Sequence, residues 1–185
     1  MQLIQTEIPD LLIIEPKVHG DRRGFFLELF QAERYVLAGI DRSFVQDNMS
    51  RSTRGVLRGL HLQNPRSQGK LVTVLHGEVL DVAVDVRLGS PTFGRHVRTL
   101  LTGENHRQFW VPRGFAHGFL VLSESADLFY KCDDFYNPEN ETVIAWNDPD
   151  ISIEWGIEAP ALSARDAAGV RLRTIAATLP EYGSI

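Results

Sequence analysis

The chain has little cysteine, no long apolar run and few segments with helical periodicity. Cys132 is its only cysteine, so no disulfide can form within the chain, which fits a reducing compartment. The first residues show no basic leader before a long apolar stretch, and the apolar run at residues 11–14 is far shorter than the ~20 residues that cross a bilayer. We therefore expect a cytoplasmic protein without a membrane partner.

The length and composition suffice for one hydrophobic core. With 185 residues, 43% of them hydrophobic, the chain can bury a sizeable core without disulfides or metals. No internal repeat, low-complexity segment or linker divides it. The sequence therefore predicts a single domain over residues 1–185.

Acidic residues are missing from one segment in the first half of the chain. Residues 48–77 contain no Asp or Glu, although the net charge of the whole chain is −5. The segment also lacks Phe, Tyr and Trp, on which bases would stack, so nucleic acid is not expected as a partner. The plain interpretation is a solvated basic surface, and the sharper one is a site for a small anion such as a diphosphate. The basic residues of the segment are Arg51, Arg54, Arg58, Arg66 and Lys70.

Short apolar runs separated by Gly, Pro, Asn and Asp fill most of the chain, a pattern typical of a β-sandwich or barrel. In residues 81–86 the valines fall on one face and Asp81 and Asp85 on the other, as in a half-buried strand. Helices are expected only at residues 31–38 and, in short form, from Ser163. The predicted strands are residues 11–16, 24–30, 55–63, 70–75, 78–87, 96–101, 108–111, 117–122, 128–134 and 142–146. The fold class predicted is all-β with a few short helices, and the segment after Ala167 is expected to pack over the barrel or a partner subunit.

Two segments look like the paired signatures of the cupin β-barrel, GLHLQ at residues 59–63 and PRGFAH at residues 112–117. In metal-binding cupins the first signature supplies His-x-His and then Glu, which together enclose a divalent ion. Here Gln63 replaces the second His, and Gln68 stands near the position of the Glu. A neutral amide is a poor substitute for these ligands. We therefore expect a site without metal, and a metal-dependent oxygenase is the disfavoured alternative.

Proton transfer is the chemistry that such a site can perform with side chains alone. His61 is the leading base, because imidazole titrates near neutral pH. Lys70 could stabilise a developing oxyanion, and the Tyr130 phenol could donate a proton. Together they suit removal of a proton beside a carbonyl and its return to the opposite face. Taken singly, each has a structural interpretation, as has His117, which could be a satisfied core histidine.

Asp166 has two interpretations that the sequence leaves open. As an ionised partner it would hold the tautomer of His61 and help it to carry a proton. Alternatively, the spacing of Ser163 and Asp166 resembles a capping box that opens a helix.

Short strings of residues, spread over most of the chain, match the motifs of one known family in the same order. They are residues 21–26, 44–48, 55–61, 68–72, 81–85, 89–94, 116–119, 130–131 and 146–149. Over residues 11–166 the chain thus resembles the dTDP-4-dehydrorhamnose 3,5-epimerases.

The resemblance implies a cupin-type double-stranded β-helix, or jelly roll, usually a homodimer, that acts without a cofactor. The reaction implied is epimerisation of dTDP-4-dehydro-6-deoxy-D-glucose at C3 and C5, in the biosynthesis of dTDP-L-rhamnose. By position His61 is the base, Asp166 its partner, Lys70 the group that stabilises the enolate oxygen at C4, and Tyr130 the acid. The substrate-binding positions implied are Arg23, Glu28, Gln46, Asp47, Asn48, Arg58, Lys70, His117, Glu141 and Arg165.

Two departures from the family pattern and one geometric problem accompany the resemblance. Arg165 stands where many relatives have Lys, and Leu62 where many have Tyr. Arg58 and His61 are three residues apart, so both can reach one pocket only if Gly59 forms a bulge or a second subunit takes part. The alternatives are an epimerase that acts only at C3 or only at C5 of a related sugar nucleotide, and a cupin that binds without reacting.

Overall fold

Strands account for most of the regular structure in the computed structural model, which describes residues 1–184. The strands are β1 Gln2–Gln5, β2 Leu12–Glu15, β3 Val18–Asp21, β4 Gly24–Leu27, β5 Gln46–Thr53, β6 Leu57–Gln63, β7 Lys70–His76, β8 Glu78–Asp85, β9 His96–Thr102, β10 Gln108–Val111, β11 Phe115–Val121, β12 Ser125–Cys132 and β13 Glu141–Val143. The helices are α1 Ala32–Leu37 and α2 Ala164–Ala167, with 3-10 turns at Pro138–Asn140, Leu172–Thr174 and Ala176–Thr178.

The strands form two antiparallel sheets and one separate hairpin. The first sheet has the order β1-β2-β10-β7-β12-β5, the second has the order β13-β6-β11-β8-β9, and β3 pairs only with β4. The two sheets enclose a shared core, the arrangement of a jelly roll, so the predicted fold class is confirmed. None of the helices in residues 1–184 combines the length and hydropathy needed to span a membrane.

Each predicted strand overlaps an observed one, whereas β1, β3 and β5 were not predicted from the sequence. The sequence of β5 is QDNMSRST, which has no apolar alternation to reveal it. Its hydrogen-bonding partner β12 fixes it as a strand along its whole length. Strand formation here follows from pairing rather than from local sequence.

Apolar side chains pack in layers on both sides of the second sheet. Between the sheets lie residues such as Val72, Phe109 and Phe119. On the outer face of the second sheet, Val82 and Leu172 belong to another buried cluster, which includes much of the C-terminal segment. Of the two alternatives expected for the segment after Ala167, the barrel or a partner subunit, the structure shows packing over the barrel.

Burial of β8 differs from the prediction. Asp81 and Asp85 are both fully buried, because the first sheet covers the face that was expected to meet solvent. Asp85 accepts hydrogen bonds from Arg87 Nη2 at 2.7 Å and from Ser90 Oγ at 2.6 Å. Burial raises the pKa of Asp85, but these hydrogen bonds outweigh that effect and leave it lowered. The prediction of a half-buried strand was wrong, because both faces of β8 are covered at Asp81 and Asp85.

A β-bulge in β6 resolves the problem posed by the spacing of Arg58 and His61. In the pairing of β6 with β11, His61 lies opposite His117, and Arg58 lies opposite Phe119, with a register shift between. Side chains directly opposite each other share a face of the sheet. Because His117 and Phe119 are two residues apart, Arg58 and His61 face the same side, as a bulge at Gly59 predicts.

Replacement of Gly59 by alanine tests how much the bulge depends on having no side chain at this position. Gly59 has φ +134°, and an added Cβ would lie 2.5 Å from Gly118 Cα. We expect Gly59→Ala to lower the free energy of unfolding by about 3 kcal/mol or more. Gly94→Ala is the control, because Gly94 also has positive φ but no heavy atom within 4 Å of the added Cβ, and its cost should be about 1 kcal/mol. Denaturant titration measures both, and equal losses would contradict the role given to the close approach.

Candidate active site

His61 and Asp166 lie in direct contact although they are far apart in sequence. His61 Nε2 is 2.6 Å from Asp166 Oδ1. The backbone N–H of Asp166 donates to Ser163 Oγ at 3.0 Å, and Ser163 Oγ donates to Asp166 Oδ2 at 2.7 Å. Asp166 therefore has both of the roles that the sequence left open, since its backbone is capped by Ser163 while its carboxylate contacts His61.

The charge of Asp166 decides which nitrogen of His61 is available as a base. Burial raises the pKa of Asp166, but the hydrogen bonds from His61 and Ser163 outweigh burial and leave it lowered. The ionised carboxylate accepts the Nε2 proton, which leaves Nδ1 unprotonated in the neutral ring. Nδ1 is thus the nitrogen that can take a proton.

Glu141 lies on the other side of the His61 ring. Its Oε1 is 3.8 Å from Nδ1, while Tyr136 OH donates to Oε2 at 2.8 Å. Arg165 forms an ion pair with Oε2, and its Nη1 donates to Tyr136 OH at 3.1 Å. The ring is therefore flanked by carboxylates, one on each side.

Lys70 and Tyr130 face His61 from the other sheet. Lys70 lies opposite Cys132, and Tyr130 lies opposite Val72 in the same strand pair, so both point between the sheets. Burial lowers the pKa of Lys70, opposed by nearby negative groups that include Glu141. Burial raises the pKa of Tyr130 to about 12, so the phenol is protonated at neutral pH. The side chains of His61 and Tyr130 thus lie on the facing sides of the two sheets.

Three further predicted residues lie on the faces that line this space. Asn48 is opposite Tyr130, and Gln46 Nε2 donates to Asn48 Oδ1 at 3.0 Å. His117 is the cross-strand partner of His61. Its Nε2 is 2.8 Å from Asp81 Oδ1, so the alternative of a satisfied histidine also describes it.

Sequence reasoning missed Asp81 as the partner of His117. Asp81 is fully buried, and its Oδ2 is the one buried side-chain oxygen or nitrogen in residues 1–184 without a hydrogen bond. The signal available was a carboxylate with apolar residues on both sides of it in the strand, since such a group needs a partner when both faces of the strand are covered.

Asp47, Arg23 and Glu28 are not brought to this space. Strand alternation turns Asp47 to the outer face of the first sheet, where it accepts from Lys131 Nζ at 2.8 Å. Arg23 lies on the exposed hairpin and pairs with Asp21 at 2.6 Å. Glu28 pairs with Arg34 at 2.8 Å.

The acid-free segment does not form a single cationic site. Arg51 pairs with Asp127 at 2.5 Å, and Arg66 pairs with Asp134 at 2.5 Å. The two carboxylates are 76 and 68 residues away in the sequence. The absence of acidic residues within the segment therefore does not show that its arginines lack acidic partners in the fold. Of the basic residues in the segment, Lys70 and Arg58 lie on the faces that line the site. Arg58 Nε donates to Ser52 Oγ at 3.0 Å.

The amides at the cupin metal positions make contacts with the backbone. Gln63 Oε1 accepts from the N–H of Asn137 at 2.8 Å, and Gln68 Nε2 donates to the carbonyl of Asp134 at 2.8 Å. In the described part of the chain, no group of three or more His, Cys, Asp or Glu side chains is arranged to hold a metal ion.

A cavity of about 350 Å³ opens beside the base, and its lining includes Arg58, His61, Arg165 and Asp166. Leu62 points away from it into the outer apolar cluster, so the departure at this position lies outside the site. A larger, open groove of about 710 Å³ runs past Glu7 and His96, but it contains none of the predicted catalytic residues.

The family model for dTDP-4-dehydrorhamnose 3,5-epimerase matches residues 5–174. The chain belongs to this family. It is 55% identical to the dTDP-4-dehydrorhamnose 3,5-epimerase of Shigella flexneri over 171 residues, which are 91% of this chain and 94% of that protein. The relative from Neisseria gonorrhoeae is 52% identical over 170 residues, or 91% of this chain, but the chain spans only 52% of that protein's length.

Solved structures of the family have the same fold. The dTDP-6-deoxy-D-glucose-3,5-epimerase of Legionella pneumophila, in complex with dTDP-4-keto-L-rhamnose, is 59% identical with a TM-score of 0.96, over 99% of each chain. A 3'-monoepimerase from Streptomyces bikiniensis, in complex with dTDP-quinovose, is 37% identical with a TM-score of 0.90, over 96% of this chain and 92% of that one.

The lowered pKa of Asp166 predicts a pH-dependent contribution to stability. A carboxyl group whose pKa is lowered by folding stabilises the protein at pH values above the ordinary carboxyl range, and this contribution is lost as the pH falls through the lowered pKa. We expect Asp166→Asn to reduce the free energy of unfolding by about 1–2 kcal/mol at pH 7, with a smaller difference near pH 3. Denaturant titrations at several pH values measure this, with exposed Glu33→Gln as the control. A loss that is the same at every pH would contradict the ionic contribution.

Proposed function

We propose that this chain epimerises dTDP-4-dehydro-6-deoxy-D-glucose at C3 and C5, giving dTDP-4-dehydro-L-rhamnose. The observation that carries the proposal is the placement of a histidine-carboxylate pair and a protonated phenol on the facing sides of the two sheets. Family membership supports the same reaction. Relatives from Shigella flexneri and Pseudomonas aeruginosa, at 55% and 54% identity, are both named dTDP-4-dehydrorhamnose 3,5-epimerase. The single-position epimerase from Streptomyces bikiniensis is more distant, at 37% identity.

The reaction begins with removal of a proton next to the C4 ketone. His61 Nδ1 takes the proton from C3 or C5, and the bonding electrons move through the new double bond onto the C4 oxygen as an enolate. Asp166 stabilises the imidazolium that forms, because it already accepts the Nε2 proton. The ammonium of Lys70 stabilises the enolate oxygen, an interaction that the partly buried site strengthens.

The second step returns a proton to the same carbon from the other face. Tyr130 donates its phenolic proton, the C4 carbonyl forms again, and the configuration at that carbon is inverted. The pKa of about 12 keeps this proton on Tyr130 at neutral pH until an enolate is present to accept it. His61 then returns its proton to solvent and Tyr130 regains one, so the site is ready for the other carbon.

Binding is assigned to the polar groups around this space. Arg58 suits the diphosphate, because a guanidinium can donate two hydrogen bonds to phosphate oxygens. Gln46, Asn48, His117 and Glu141 supply donors and acceptors for the sugar and the base. A module that only bound the ligand would need such groups, but it would gain nothing from a base facing an acid.

Deuterium exchange tests the reaction and its base together. In D2O the wild type should place deuterium at both C3 and C5 of the 4-keto sugar nucleotide, as read by NMR. We expect His61→Ala to lose exchange by about 1000-fold or more, because the proposed general base is removed. Tyr130→Phe should still exchange a proton at the His61 face but should form the inverted product at least about 100-fold more slowly. Label at one carbon only would support a single-position epimerase, and no label in the wild type would refute the proposed function.

We also propose that the chain works as a homodimer in the cytoplasm. The free, buried thiol of Cys132 fits a reducing compartment. The β3-β4 hairpin exposes 63% of Phe25 and 70% of Phe26, which is typical of a surface that another protein covers. The hairpin also carries Arg23, one of the substrate-binding residues that the single chain does not bring to the site. These features are explained together if the hairpin reaches the site of a second copy.

Mixing of two inactive variants tests this arrangement. If Arg23 acts in the partner's site, His61→Ala and Arg23→Ala chains that are unfolded and refolded together should form mixed dimers with one intact site. We expect activity of up to about a quarter of wild type, since half of the dimers are mixed and each has one intact site. Light scattering gives the mass before and after mixing. A monomer, or no recovered activity from variants that are each inactive, would contradict the shared site.

A further inference from the structure

The Glu141 carboxylate stands just outside hydrogen-bonding distance of the base. Its Oε1 is 3.8 Å from His61 Nδ1, which is too long for a hydrogen bond but short enough for a strong charge interaction. Asp166, by contrast, makes a 2.6 Å contact with Nε2. The two carboxylates that flank the ring therefore act on it in different ways.

The position of Glu141 is set by a triangle of contacts with Tyr136 and Arg165. Tyr136 OH donates to Glu141 Oε2 at 2.8 Å, Arg165 pairs with that same oxygen, and Arg165 Nη1 donates to Tyr136 OH at 3.1 Å. A guanidinium can make both of its contacts at once because its donors form a planar fork, whereas an ammonium is a compact point charge. Tyr136 and Arg165 thus hold the Oε2 atom of Glu141, while its Oε1 atom stays 3.8 Å from His61 Nδ1.

The distance matters because Nδ1 must be unprotonated when substrate arrives. If the carboxylate moved to about 2.8 Å from Nδ1, it would hydrogen-bond to a proton on that nitrogen and favour the imidazolium. The base would then be occupied before the reaction. Held farther away, Glu141 leaves the Nδ1 lone pair free but still stabilises the imidazolium that forms during proton transfer.

We propose that Arg165, acting with Tyr136, is a positioning residue that holds Glu141 back from His61 Nδ1. The inference deepens the proposed function, in which His61 is the base, and it rests on that function for its kinetic consequence. It gives Arg165 a role that acts through Glu141.

Other charged and titratable groups also surround the ring, and the test must separate them from Glu141. They are Arg58 on β6, His117 on β11 with Asp81 behind it, Lys70 on β7, Tyr130 on β12, and Asp166 beside Arg165 on α2. Removal of Arg165 would also act directly on the ring, because it takes away a nearby positive charge. Tyr136→Phe is therefore the sharper variant, since it removes one hydrogen bond and no charge.

The first measurement is the titration midpoint of His61 in the free protein. NMR of isotope-labelled histidine at low salt determines it. We expect Tyr136→Phe and Arg165→Met each to move the midpoint upward by about 0.5 pH unit or more, because Glu141 can then approach Nδ1. Glu141→Gln should move it downward. In the Glu141→Gln background, Tyr136→Phe should cause no shift. Arg173→Met is the matched control, since Arg173 pairs with Asp150 on the surface at 3.6 Å.

The second measurement is the pH profile of kcat/KM for the same variants. The acid limb of Tyr136→Phe should move upward with the NMR midpoint, with a loss of kcat/KM that reaches about threefold well below that midpoint and is recovered at higher pH. An unchanged midpoint in Tyr136→Phe, or an equal shift with Glu141 replaced, would overturn the inference. The NMR result needs no turnover, so an upward shift in a protein that exchanges no deuterium would refute the proposed function and still support the position assigned to Glu141.

Discussion

The register shift in β6 is the constraint on which the rest of the site depends. Gly59 meets Gly118 closely enough that neither strand has room for a side chain there, and the extra residue turns Arg58 and His61 to the same side. Between them Leu60 points outward into the apolar layer under the C-terminal segment. One irregular strand thus turns a guanidinium and an imidazole to the same side, while its Leu60 packs in the core on the other side.

Residues whose environment is local were predictable from the sequence. Ser163 caps α2 as the spacing indicated, and short apolar runs located β7 and β9. The face that each polar strand turns inward could not be predicted. Asp47 and Asn48 are neighbours in a strand with no apolar pattern, and only its pairing with β12 decides that Asn48 faces the site and Asp47 does not.

Charge along the sequence was a poor guide to charge in space. Arg51 and Arg66 belong to a segment without acids, yet each is matched by a carboxylate from β12 or the loop that follows it. Conversely, Asp81 lies in a strand that was expected to be half exposed, and it is buried against His117. Antiparallel pairing brings together residues that are far apart in sequence, so the electrostatics of a barrel follow its register. The catalytic candidates were recognised through motif resemblance, which already includes that register.

The C-terminal segment closes the outer apolar layer and also carries Asp166. The carboxylate that contacts His61 therefore comes from the C-terminal part of the chain, 105 positions after His61. A chain still emerging from the ribosome, or one clipped before α2, would have a barrel with a histidine that lacks its carboxylate and an outer sheet face that lacks its cover. The contact between His61 and Asp166 can therefore form only after synthesis has passed α2. The proposed reaction of the sugar nucleotide depends on that contact.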